Sequence, residues 1–167
     1  MRPWFLLILT LALGGCAGYK LGPTNGMVSG SRSVTIKPFG NLTQEPRLTE
    51  YLNISLRKQL QQDGTFRLET SGRPDIILSG QVERYVRNAI SYQTNDVLTP
   101  QEYALTIVAR VTAVEANTGR TNFNRLVQGY TYIRLGNDQS SVERQSIPLL
   151  TDSLARNAIT LLVDGAW

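Results

Sequence analysis

Tyr103-Ala104-Leu105-Thr106-Ile107-Val108-Ala109-Arg110-Val111-Thr112-Ala113 is the stretch whose reading decides the fold. Tyr103, Leu105, Ile107, Ala109, Val111 and Ala113 fall on every second position, the period of a strand with one buried face. Asn117-Thr118-Gly119 reads as a hairpin turn. Arg120 to Arg134 then returns antiparallel, carrying Phe123, Tyr130, Tyr132 and Ile133.

Working outward, the spacing predicts a strand on the N-terminal side over Asp75 to Gln93, with Ile76, Ile77, Leu78, Val82, Tyr85, Val86 and Ile90. Thr65 to Glu69 is a short strand, closed by a Ser71-Gly72-Arg73-Pro74 turn. Ser33 to Phe39 alternates again, and Pro38, which has no N–H to give a ladder, marks a strand end or an edge. Between these two strands a helix starts near Pro46, a residue suited to the first helical position. Leu48, Leu52, Leu56 and Leu60 line one face of that helix, and Asp63-Gly64 ends it in a left-handed cap. On the C-terminal side the polar break 136–141 precedes a last helix. Its apolar stripe is Ile147, Leu150, Leu154, Ala158 and Leu162.

The element order is β-α-β-β-β-β-α. Two helices with one apolar stripe each are buried only if both cover the same face of a sheet. The expected fold is therefore α+β, a two-layer sandwich: a mixed, mostly antiparallel sheet of four to five strands with two helices on one face. The other face, rich in Thr, Ser, Gln, Glu and Arg with a few aromatics, is left for solvent or a partner.

The start of the chain has its own pattern. Met1-Arg2-Pro3 is positive, Trp4 to Leu13 is apolar apart from Thr10, and small residues lead to Cys16, the sole cysteine. That is the layout of a secretory signal, too short for the roughly 20 apolar residues of a membrane span. Leu13-Gly14-Gly15-Cys16 resembles a bacterial lipobox, in which the cysteine becomes the acylated first residue of the mature protein. Ala17 in place of Asp resembles the sorting pattern of outer-membrane lipoproteins. On this reading residues 1–15 are a signal peptide and 16–32 a lipidated flexible tether, rich in Gly, Ser, Pro, Thr and Asn. Residues 33–167 then form a single domain.

Composition narrows the function. Removing residues 1–15 leaves 152 of the 167 residues, enough to bury a real core. The mature part has 16 basic and 13 acidic residues, a modest excess that favours an anionic partner only weakly. Lys20, Lys37 and Lys58 are its only lysines. The arginine bias suits a phosphate-bearing partner and arises equally from genomic base composition. The sequence has no histidine, and acylation uses its cysteine, so the commonest general base and the thiol nucleophile are missing. No P-loop and no paired-carboxylate motif is present. The expectation is a non-enzyme with no cofactor, no metal and no nucleic-acid partner.

Several segments together resemble the LPS-assembly lipoprotein family, LptE. Cys16-Ala17-Gly18-Tyr19-Lys20-Leu21 is similar to its opening, and Val34-Thr35-Ile36-Lys37-Pro38-Phe39-Gly40-Asn41-Leu42-Thr43 to its first strand and Asn-x-Thr turn. Asp75-Ile76-Ile77-Leu78-Ser79-Gly80 resembles a further strand start, with Pro74 where the family usually has Ala. Glu143-Arg144-Gln145 and the terminal Trp167 resemble its end. The resemblance implies an outer-membrane lipoprotein, held at the periplasmic face through acyl chains. Such a protein plugs and helps assemble the LptD β-barrel and binds lipopolysaccharide on its way to the outer leaflet. The first half is also similar to CsgG-type and LpoB-type envelope lipoproteins, which act on other secretion or cell-wall partners. The candidate lipopolysaccharide or partner contacts are Arg84, Arg87, Arg125, Tyr130, Tyr132 and Arg134. Arg84 and Arg87 point to opposite faces unless a bulge separates them, whereas Tyr130 and Tyr132 share a face. For each of these, solvated charge or sheet packing is the competing role.

Overall fold

A computed structural model describes residues 28–134 and 139–165, the side chains of Val97 and Gln139 excepted. The signal 1–15, Cys16, most of the tether, the start of the polar break and Trp167 lie outside the described residues. The strands are β1 (Arg32–Ile36), β2 (Gly40–Asn41), β3 (Phe66–Leu68), β4 (Ile76–Gln93), β5 (Asp96–Glu115) and β6 (Thr121–Arg134); the helices are α1 (Arg47–Asp63) and α2 (Gln139–Asp164).

The sheet runs β3-β1-β4-β5-β6, with β2 beside β4. β4, β5 and β6 form an antiparallel meander. β1 lies parallel to both β3 and β4, and β2 parallel to β4, so the sheet is mixed, as expected. Two parallel neighbours need a crossover, and α1 supplies it between β1 and β3. The two-residue β2 adds a strand where the sequence reads as a turn. Thr43 still closes that turn by donating its N–H to Asn41 Oδ1 at 2.9 Å.

Both helices cover one face. Leu48, Leu52, Leu56 and Leu60 of α1 are fully buried, as are Ile147, Leu150, Leu154, Ala158 and Leu162 of α2. They pack on Ile76, Leu78, Val82, Leu105, Ile107, Ala109, Val111 and Ala113. Burying one such leucine contributes about 1.5–3 kcal/mol. Gly64 ends α1 at φ 72°, its N–H donating to the Leu60 carbonyl. α2 lies hard against β6: a Cβ at Gly129 would stand 2.4 Å from the Leu154 nitrogen. Ser153 Oγ accepts the Tyr130 N–H at 3.1 Å, and Asn157 Nδ2 donates to the Gln128 carbonyl at 2.7 Å. Those two bonds occupy the middle of an otherwise open sheet edge. No helix among the described residues is long and apolar enough to cross a membrane.

Candidate functional site

With the helices on one face, the rows of the meander sort every side chain by face. Arg84, Val108 and Gln128 form one cross-strand row, Val86, Thr106 and Tyr130 the next, and Asn88, Ala104 and Tyr132 the third. These point away from the helices. Tyr85, Ile107 and Gly129, and then Arg87, Leu105 and Thr131, form the intervening rows on the helix side.

The uncovered face is apolar in its middle. Tyr130 is 57 % and Tyr132 64 % exposed, and Val86 and Leu126 are also exposed. The two tyrosine rings meet edge to face, their centroids 5.9 Å apart. Val108, in the row of Arg84 and Gln128, is only 4 % exposed. Arg84 stands beside Val108 and makes no hydrogen bond or ion pair among the described residues. By contrast, Arg110 on the same face is neutralised by Glu83 at 2.7 Å. Arg134 sits at the end of the tyrosine column and lies 3.7 Å from Glu102. On one face, a guanidinium with no partner among the described residues can pair with a phosphate through two hydrogen bonds while the edge-to-face rings cover sugar or acyl surface.

Arg87 is placed quite differently. It points to the helix side, where its Nη1 lies 2.7 Å from Glu143 Oε2. Its guanidinium carbon is 5.7 Å from the centre of the Tyr103 ring. The Tyr85 hydroxyl donates to the other Glu143 oxygen. Burial and that carboxylate push the Tyr85 phenol well above its ordinary range. The cluster fastens the start of α2 to β4. Arg125 shares its row with Val111 and so also lies on the helix side; it is exposed there, with no partner among the described residues. The structure thus brings Arg84, Tyr130, Tyr132 and Arg134 onto one face and leaves Arg87 and Arg125 on the other. Sequence reasoning missed Glu143 as the residue that takes Arg87. The acidic residue early in α2 was visible, but not its position over β4.

The motif residues behind the resemblance hold the frame. Asp75 Oδ2 accepts the Ser33 N–H at 2.7 Å and the Ser33 hydroxyl at 2.8 Å. These bonds lower its carboxyl pKa. A Cβ at Gly80 would meet the Phe39 ring at 2.4 Å and the Arg110 carbonyl at 2.5 Å, so glycine there lets Phe39 enter the core. Phe39 in turn donates its N–H to Asn53 Oδ1.

Among solved structures, a DUF330-family protein from Xanthomonas campestris superposes with a TM-score of 0.64 at 10 % identity, over 87 % of this chain and 91 % of that one. A hypothetical protein from Chlamydia trachomatis gives 0.59 at 8 % identity, over 83 % and 98 %. A minor lipoprotein from Acinetobacter baumannii gives 0.52 at 13 % identity, over 80 % and 93 %. At these identities the likeness is one of fold. No curated protein matches the sequence significantly. The family model described as LptE, lipopolysaccharide-assembly, matches residues 31–164, which takes in every strand and both helices, and the chain therefore belongs to the LptE family.

Proposed function

We propose that this protein is an outer-membrane lipoprotein, anchored at Cys16 on the periplasmic face. In this reading it plugs and helps assemble an LptD-type β-barrel and binds lipopolysaccharide during delivery to the outer leaflet. Residues 1–15 are its signal peptide, 16–32 its tether and 33–167 its single working domain. It acts by binding and scaffolding, and no bond is made or broken.

The observation that carries this reading is the uncovered face of β4, β5 and β6. That face carries Arg84, a cation with no partner among the described residues, and, two strands away on β6, an exposed aromatic pair, Tyr130 and Tyr132. Lipopolysaccharide offers phosphate, sugar and acyl surface together, and a binding face needs both charge and apolar area to hold it. Arg87 drops out of the contact set because Glu143 occupies it, and Arg125 because it faces the helix side.

The test is recovery from detergent-solubilised envelopes with the acylated chain as bait. A large outer-membrane barrel in the eluate, together with purified lipopolysaccharide binding to the mature chain freed of its acyl groups, is the expected result. Recovery of a cell-wall synthase, or of a homo-oligomeric ring without a barrel, would assign the chain to another partner. A mature protein without fatty acids at Cys16 would remove the anchor.

A further inference from the structure

The last pair joining β5 to β6 is Glu102 with Arg134. Beyond it β4 and β5 continue as a two-stranded arm, through Ser91 opposite Glu102 and Tyr92 opposite Pro100 to Gln93 opposite Asp96. On its other side β4 is paired by β1 only at Ile76 to Leu78 and by β2 only at Gln81 and Val82. The arm therefore has no third strand among the described residues, and a two-stranded ribbon is marginal by itself in water. Its register shifts repeatedly between Ala89 and Gln93. Ile90, Tyr92 and, at 86 % exposure, Leu98 face solvent.

The charge of this segment differs from the rest of the chain. No Lys or Arg occurs between Arg87 and Arg110, while Asp96 and Glu102 do, in a protein of net charge +4. Asp96 spends its carboxylate on the Leu98 N–H and the Thr99 hydroxyl. The arm itself offers an anionic headgroup no cation, and the one at its base, Arg134, already lies 3.7 Å from Glu102, unlike Arg84 on the open face.

Position adds a second constraint. Val28 lies at the end where β1, β3 and β4 begin, fixed by the Gly30 N–H on the Thr65 carbonyl and by Arg32 on Glu115. The arm's tip is at the opposite end of the 18-residue β4, about 55 Å away at roughly 3.3 Å per residue. The 11 residues between Cys16 and Val28 reach at most about 40 Å. A lipid anchor thus keeps the lower end near the inner leaflet and leaves the tip free to lead into a lumen.

We propose that the arm, residues 91–102, is the segment that docks against the inner wall of the partner barrel. The wall it meets is neutral to basic and offers main-chain and aromatic groups, and lipopolysaccharide is not its ligand. This rests on the plug reading above and divides the molecule into a protein-facing arm and a glycolipid-facing sheet.

The test places a photo-crosslinking residue at Tyr92, Leu98 or Tyr130 in the acylated full chain in growing cells, with exposed Ile54 of α1 as control. The expected result is a barrel adduct from positions 92 and 98 at least tenfold above that from 54. In parallel, Leu98→Lys, which sets a cation against a neutral-to-basic wall, should lower barrel recovery at least tenfold, while lipopolysaccharide binding is not reduced. Leu98→Ser, a milder change at a side chain with almost no contacts to lose, guards against misfolding and should give a smaller loss in the same direction. Adducts of 92 and 98 with lipopolysaccharide or with a second copy, or unchanged recovery of both variants, would overturn the arm proposal. A barrel adduct from 130 but not from 92 or 98 would overturn it while leaving the plug reading intact. If no position gives a barrel adduct and the unaltered chain recovers none, the plug reading itself fails.

Discussion

Replacing Arg84 and Arg87 one at a time by alanine separates binding from stability, because the two side chains leave β4 on opposite faces. Arg87 and Glu143 are 2.7 Å apart with side chains 43 % and 17 % exposed, and a partly exposed pair is worth about 0.5–1 kcal/mol. The Tyr103 ring beneath the guanidinium adds roughly 0.5–1 kcal/mol. Arg87→Ala should therefore cost about 1–2 kcal/mol, a fall in Tm of roughly 2–8 °C for a chain of this size. Arg84 has no hydrogen-bond or ion-pair partner among the described residues, so Arg84→Ala should stay within about 0.5 kcal/mol of the original. For lipopolysaccharide the order reverses. A hydrogen bond between an exposed guanidinium and a phosphate is worth about 1.5–3 kcal/mol, so Arg84→Ala should weaken binding roughly 10–100-fold. Arg87→Ala should leave binding within about threefold. Thermal unfolding by circular dichroism and titration with labelled lipopolysaccharide read the two effects on the same samples. Lost binding in Arg87→Ala with none in Arg84→Ala would refute the assignment of faces.

Gly129→Ala requires α2 to retreat by about 1 Å from the Leu154 backbone, and overpacking of that kind costs roughly 1–3 kcal/mol. Gly119→Ala, with nothing within 4 Å but φ at 71°, should cost about 1–2 kcal/mol through backbone strain alone. Calorimetry reads both losses, and only the first variant should also lose protection of the Tyr130 amide in hydrogen exchange. Asp75 is held below its ordinary value of 3.8 by the two Ser33 bonds, so the unfolded chain takes up that proton first as pH falls. Its contribution is complete above about pH 5 and is lost on descending through the folded pKa. Asp75→Asn should therefore flatten part of the acid limb of a Tm-versus-pH curve, and an unchanged limb would contradict the linkage. Ser153→Ala with Asn157→Ala removes both side chains bonded to the β6 edge. Sedimentation velocity should then show concentration-dependent self-association that the unaltered chain lacks.

What could be read in advance was what depends on nearby residues. The period of two from Tyr103 to Ala113 and the leucines at 48, 52, 56 and 60 gave the right elements because each records one buried face. Gly64 was readable as a helix stop because a left-handed cap favours glycine. The strand order was not readable: β1 lies between β3 and β4 through parallel pairings that no local pattern records. The start of β5 at Asp96 was missed because the stretch up to Gln101 lacks strict alternation, and because Pro100 reads as a break. Parity predicted correctly that Tyr130 and Tyr132 share a face. It offered no sign that Arg87 meets a carboxylate 56 residues later in the chain.

The division between Arg84 and Arg87 depends on where one extra residue falls. Val82 pairs with Ala109 and Arg84 with Val108, so Glu83 is the residue that the ladder leaves out. A bulge of this kind re-aims the side chains C-terminal to it. Had it fallen between the two arginines, their odd spacing would have become an even one and both would have reached the same side. Because it falls before Arg84, Val82 and Tyr85 stay on the helix side, and Arg84 and Val86 on the other. Glu83 is also the residue that takes Arg110. The same irregularity therefore aims one guanidinium outward and neutralises its nearest like-charged neighbour on that face. Arg84 is left as the cation of the three central rows with no partner among the described residues. An anionic group arriving at Arg84 on that face displaces no ion pair among the described residues to reach it.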